Sequence, residues 1–433
     1  MAAWTRRGVL RAGGLGAGAL GLGLGGALLP GRARAAAPAD RKLLFVFCHR
    51  GWDPAFVFTP PAGAVRADTG SAAASVAGVD FVDNRNRPKV RRFFERWGSE
   101  SCIINGIEVP SIVHERCQRL LLTGFGDAGR DDWPSILAAA GGDSLGLPYL
   151  VMAGVSFTRE HTDKVVRVGD DGQLPRLLQG AVTSEMRGLG GLRGPSEAAQ
   201  AAEQAYIQGR LGRAAAGAGD QAAWAAAQLE ALQRVDRLSA LRGSVDLSVP
   251  GGGCERDLTD DAATVMTAME LGLSRCAMIQ SDGWCSNGWD THTGNDRQAL
   301  HYDGLFGYLD EIMTDRAGRV SPTGRALADE LTIVVLSEMG RSPSPNSAGG
   351  KDHWPYTSAL LIGAGVRGGQ TLGAVDGEGK GVALDLDSGA TGAGGELIGA
   401  GHFGATLLTL GGVSPGDVGL SQPPIRAALS EEA

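Results

Sequence analysis

Six short, unbroken apolar runs recur along the chain: Leu43 to Phe47, Cys102 to Ile104, Tyr149 to Met152, Cys276 to Ile279, Thr332 to Leu336 and Ala359 to Ile362. Runs of this length without polar alternation suit strands buried on both faces. Between them lie segments of helical period. Ala262, Val265, Met266, Met269 and Leu273 fall on one face, as do Tyr302, Leu305, Phe306, Leu309 and Met313. The alternation predicts an α/β fold: a mostly parallel central sheet with helices on both faces. Residues 195–242 break the rhythm. They are rich in Ala, Gln, Glu and Arg, with Trp224, Leu229, Leu232 and Leu238 at helical intervals, and predict a helical insertion or cap. Glycine-rich joints at 187–195 and 250–253 bound it at about 187–253.

Sixty-eight glycines in 433 residues exceed the usual share of roughly 7%, but the Gly-X-Y period of a collagen is missing, and 43% hydrophobic with 20% charged residues describes a globular chain. The formal charge is −8; the first 35 residues carry five Arg and no acid, which leaves −13 on the remainder. A surface so acidic argues against nucleic acid as a partner. Within that leader, Thr5-Arg6-Arg7-Gly8-Val9-Leu10-Arg11 precedes a Gly/Ala/Leu run to Leu29, and Ala33-Arg34-Ala35 offers small-x-small cleavage. This reads as a twin-arginine export signal over 1–35. It predicts passage through the twin-arginine export machinery, a mature domain of 36–433, periplasmic or secreted location, and no stable membrane span after cleavage. Six cysteines, at 48, 102, 117, 254, 276 and 285, contain no C-x-x-C pair.

In parallel sheets ligands sit at the carboxyl ends of the strands. Asp53 closes the turn His49-Arg50-Gly51-Trp52-Asp53 after the first run; Asp290 and His292 lie in Gly288-Trp289-Asp290-Thr291-His292 after the fourth. Glu338 follows the fifth in Ser337-Glu338-Met339-Gly340-Arg341, and Asp352-His353 lies in Gly350-Lys351-Asp352-His353-Trp354 before the sixth. Carboxylate oxygens and neutral imidazole nitrogens are donors for zinc, manganese or iron. Each alone also fits a plain role: an exposed turn, a helix cap, or an ion pair of Glu338 with Arg341. Their joint placement at strand ends is what points to a divalent metal, with zinc first and manganese, iron or calcium as alternatives. Trp52, Trp289 and Trp354 flank these positions as walls against water or as core. His49 is placed at the cleft, His402 at a helix start, and His161 and His301 in solvent.

These motifs in this order, followed by Gly363-Ala364-Gly365-Val366-Arg367-Gly368-Gly369, resemble the exported bacterial domain-of-unknown-function family 1501. The resemblance implies an alkaline phosphatase/sulfatase-like fold with a metal cleft, and carries Asp53, Asp290, His292, Glu338, Asp352 and His353 over as ligands. In that superfamily a nucleophilic Ser, Thr or modified Cys opens a helix ten residues before a Thr-Gly end; counting back from Thr123-Gly124 reaches His114. His114 is therefore expected as nucleophile, base or ligand, with Ser111 as an alternative nucleophile. Cys117 lacks the Cys-x-Pro-x-Arg pattern of a sulfatase. Met339 stands where relatives carry a ligating His. Arg341 is expected to hold an anionic oxygen or to form a structural ion pair. The resulting expectation is an exported, metal-dependent hydrolase or transferase of phosphate or sulfate esters, on a small-molecule or glycan substrate. The alternative is a non-catalytic exported metal-binding protein that binds a glycan or cell-envelope partner.

Overall fold

The computed structural model describes residues 38–142, 144–167, 196–222, 224–226, 228, 229, 232, 258–283 and 288–431. The leader, both glycine-rich joints, Cys254 and Cys285 lie outside the described residues, as does most of 223–257. In chain order the described elements include strands β1 (Lys42–Cys48), β2 (Ala72–Val76), β3 (Val79–Asp83), β4 (Ser101–Glu108), β5 (Tyr149–Val151), β6 (Val165–Arg167), β7 (Cys276–Ser281), β8 (Leu331–Leu336), β9 (Gly340–Arg341), β10 (His353–Trp354), β11 (Tyr356–Gly363) and β12 (Gln370–Leu372). The helices are α1 (Pro88–Trp97), α2 (His114–Thr123), α3 (Trp133–Ala140), α4 (Glu197–Ala215), α5 (Leu258–Glu270), α6 (Arg297–Arg316) and α7 (Ala400–Leu410). Each of the six apolar runs is a strand, and α4 falls inside the segment read as an insertion.

Eight strands form one sheet in the order β12-β4-β11-β8-β1-β7-β5-β6. Every pairing is parallel except those of β11, which is antiparallel to both β4 and β8. All seven residues of β1 are buried, because helices cover both faces. Leu44 and Val46 join one apolar cluster with Phe93 of α1, Val265 of α5 and Leu305 of α6. Leu43, Phe45 and Phe47 join the other with Leu121 of α2, Leu137 of α3 and Leu407 of α7. A strand's two-residue period thus feeds two cores, each such side chain stabilising the fold by about 1.5–3 kcal/mol.

One expectation is corrected here. His301 lies on the buried face of α6 at 3% exposure, not in solvent, because its ring packs beside Trp289, itself fully buried. Of the two roles open to Trp52 and Trp289, these residues take the core one: both are fully buried and in edge contact with each other. Cys48, Cys102, Cys117 and Cys276 are buried free thiols.

Candidate metal centre

Because β4, β1, β7 and β8 share one direction, the turns that follow them open at one edge of the sheet. The reversal of β11 brings the residues that precede it to that same edge. His114 opens α2 after β4; Asp290 and His292 follow β7; Glu338 follows β8; His353 opens the short β10, paired with Arg341 just before β11. The loops carrying these groups are stitched together. Lys351 N–H donates to Thr291 O at 3.0 Å, and a Cβ at Gly350 would lie 2.0 Å from the His292 carbonyl carbon, so only glycine permits the approach.

Three imidazoles here share one pattern. The Nδ1 of His114 faces Glu338 Oε1 at 2.9 Å, that of His292 faces Asp352 Oδ1 at 3.2 Å, and that of His353 faces Ile112 O at 2.7 Å. An oxygen at each Nδ1 favours a proton there and turns each Nε2 toward Asp290, the orientation of metal-ligating histidines. The Nε2 atoms converge on Asp290: 3.2 Å from His292 and 3.6 Å from His353 to Oδ1, and 3.7 Å from His114 to Oδ2. The Nε2 atoms of His292 and His353 are 3.0 Å apart. Ligand atoms of His114, Asp290 and His353 all lie within 4.8 Å of one another, with His292 on the exposed side.

The electrostatics favour a cation at this point. Burial works against a charged His114, but the Asp290 and Glu338 carboxylates override it and raise its pKa to about 9. Burial likewise opposes a charged Asp290, yet His114, His353 and Arg341 hold its carboxyl far below the usual carboxylate range. His114 Nε2 is buried with no hydrogen-bond partner, a site that a metal would satisfy. Ligand bonds of about 2.0–2.1 Å in a tetrahedral zinc site put neighbouring donors roughly 3.3 Å apart. The pairs at 3.0 to 3.7 Å lie near that value, and His114, Asp290 and His353 form a donor group that fits a divalent metal, with His292 beside it.

The remaining predicted residues stand elsewhere. Asp53 is not brought to the cluster: buried at 1% exposure, its Oδ2 meets Lys351 Nζ at 2.8 Å and Asn295 Nδ2 at 2.8 Å, so an ammonium occupies the place expected for a metal. Glu338 is fully buried, accepts the Arg50 N–H at 2.9 and 3.1 Å, and supports His114 instead of joining the donors. Asp352 is exposed and orients His292 in the same manner. Arg341 is a structural ion pair: Nη2 meets Asp290 Oδ1 at 2.8 Å, while its donors engage the carbonyls of Gly51, Lys351, Arg50 and Trp289. That leaves it no free fork for an anionic oxygen. His114 presents one nitrogen to Glu338 and the other to Asp290, the geometry of a ligand. Burial raises the Cys117 thiol to about 11, which keeps it protonated and unreactive near neutrality.

Sequence reasoning assigned no role to Lys351, Asn295 or the Ile112 carbonyl. A lysine next to Asp352-His353 is a readable signal, whereas a backbone carbonyl leaves none.

The family model described as "Protein of unknown function (DUF1501)" matches residues 94–386. No curated protein matches the chain. Among solved structures, the chain is similar to a protein in the alkaline phosphatase superfamily from Vibrio parahaemolyticus, at 9% identity over 87% of this chain and 69% of that one, with a TM-score of 0.32. It is similar to the soluble domain of lipooligosaccharide phosphoethanolamine transferase A from Neisseria meningitidis, at 11% identity, 92% and 96% coverage and a TM-score of 0.35. A sulfatase from Pseudoalteromonas sp. matches at 14% identity, 86% and 68% coverage and a TM-score of 0.31.

Proposed function

Since the chain belongs to the DUF1501 family, whose description assigns no activity, we propose from the site itself that the protein is a metal-dependent hydrolase or transferase of phosphate or sulfate esters. The observation that carries this reading is the approach of three imidazole Nε2 atoms to Asp290, each imidazole held from behind by an oxygen, with His114, Asp290 and His353 forming the tight donor group. His114, Asp290, His292 and His353 would hold the ion. Three nitrogens and one oxygen suit zinc, then manganese or iron; calcium prefers six to eight oxygens. When bound, the ion supplies a Lewis acid for a phosphoryl or sulfuryl oxygen. Glu338 and Asp352 fix the ligand tautomers, and Arg341 fixes the Asp290 rotamer. The α2 N-terminus begins at His114 without a side-chain cap, so its free N–H groups add positive potential where an oxyanion would sit.

His114 occupies the nucleophile position of the resemblance but serves as a ligand, which favours hydrolysis by water over transfer through an ester of the protein. The same replacement favours a second reading, a non-catalytic metal-binding protein with a glycan or envelope partner. The arginine-rich leader and its small-x-small end support export to the periplasm or beyond, with 36–433 as the mature domain and 187–253 as its insertion. Among the described residues no helix is long and apolar enough to cross a membrane.

Metal analysis of the folded protein, followed by assays of aryl phosphate, phosphodiester and aryl sulfate substrates, tests the proposal. The wild type is expected to hold one ion and to cleave at least one ester class, while His353→Ala and His114→Ala lose the ion. A folded wild type that takes up no zinc, manganese or iron would refute the metal assignment; a loaded protein inert to every ester would favour the binding role.

A further inference from the structure

With Arg341 committed to Asp290 and to carbonyls, a substrate oxyanion needs another cation, and one stands beside the site. Arg50 has φ of 85°, in the left-handed region, where among the described non-glycine residues it is joined only by Ala77. Its backbone has fixed duties. The N–H donates to both oxygens of Glu338, and the carbonyl accepts from Arg341 Nη2. Glycine would perform both duties without steric cost, since neither uses the side chain. A long cationic side chain at a position that favours glycine points to work for the guanidinium itself.

That side chain runs toward the loop presenting Asp290. A Cβ at Gly288 would lie 3.2 Å from Arg50 Cδ and 4.0 Å from Arg50 Nε, and 3.8 Å from the Asp290 backbone nitrogen. The residue is exposed, and its hydrogen bonds among the described residues run through its backbone, which leaves the guanidinium fork open. A planar fork of N–H donors matches two oxygens of a tetrahedral oxyanion, which a lysine ammonium does not.

We propose that Arg50 is the anion-binding residue of this site, its guanidinium taking two oxygens of a phosphate or sulfate group presented to His114, Asp290, His292 and His353. The proposal rests on the metal-site reading above. It assigns to Arg50 the anion-holding role that was one of the two expected of Arg341, and it defines the ligand class as a tetrahedral oxyanion with at least two free oxygens.

Calorimetric titration of the zinc-loaded full chain with inorganic phosphate and with sulfate, with metal content measured on the same samples, tests it. The wild type is expected to bind at least one of the two anions. Arg50→Gly should bind that anion at least tenfold more weakly, with the same metal content and a thermal midpoint equal to or above that of the wild type. Arg50→Lys, which keeps the charge but not the fork, should fall between them. Unchanged anion affinity in Arg50→Gly would overturn the proposal. Loss of metal in that variant would also overturn it, because Arg50 would then be holding the site together instead of reading the substrate. A metal-loaded wild type that binds neither anion overturns it too, whereas a wild type that takes up no metal removes the underlying reading of the site first.

Discussion

Asp53 and Asp290 are both aspartates after buried parallel strands, yet their partners give them opposite tasks. Asp53 meets an ammonium in a pocket where both groups are 1% exposed, whereas Asp290 meets the Nε2 atoms of imidazoles whose other nitrogens are taken. Lys351→Met should therefore leave an uncompensated buried carboxylate and lower stability by about 3–5 kcal/mol in denaturant unfolding, and adding Asp53→Asn should recover much of the loss. If the double variant were no more stable than the single one, the pairing would not be what Lys351 is for. Glu338→Gln should leave the fold intact but weaken metal affinity by about 10–100-fold in chelator competition, because the His114 Nδ1–H then faces an amide in place of a carboxylate. That Asp290 and the histidines were candidates is readable from residue type. Which carboxylate faces a lysine is not, because the same side chain suits either cation.

At the scale of elements, the direction of β11 decides the site. Parallel strands deliver the residues that follow them to one edge, and an antiparallel strand delivers the residues that precede it, so Asp352 and His353 arrive beside Asp290 and His292. Gly350 lets the two loops touch. Gly350→Ala should force them apart, lower stability by about 1–3 kcal/mol and weaken metal binding, measured by thermal melts and metal titration on the same samples. A variant with normal metal affinity would show that the loops can yield without disturbing the histidines. The six apolar runs mark these strands because continuous apolarity is a local signal. Strand direction is not local: it follows from which connections can pack, and nothing in Ala359 to Ile362 states it.

Across the whole molecule, two buried titratable groups should act on stability with opposite sign. Burial, with Arg297 nearby, lowers the His301 pKa from 6.5 to about 4. Its contribution to stability is therefore present above pH 6.5 and is lost as pH falls toward 4, by about 3 kcal/mol. Burial raises Asp132, the cap of α3, from 3.8 to about 6, outweighing the N–H groups of Phe157 and Ser135 that pull it down. That contribution is present below pH 3.8 and is lost as pH rises through 6, by a similar amount. Unfolding free energies of His301→Gln and wild type should thus diverge between pH 6.5 and 4, and those of Asp132→Asn should diverge in the opposite sense over nearly the same interval. Parallel curves would mean that neither group is as shielded as the packing implies. Neither effect was readable beforehand, since His301 sits on a helix whose sequence allows a solvent face.

By itself the sequence determined the strands, the helices between them, and the polar groups that could reach one sheet edge, because apolar period and residue type are properties of neighbours along the chain. Only the tertiary structure decided that Asp53 pairs with Lys351, that Arg341 is spent on Asp290, and that Glu338 and Asp352 stand behind the histidines. Those choices depend on which charges the reversed strand and the Gly350 contact bring within a few ångströms, and electrostatic partnership is settled by distance in space, not by order in the chain.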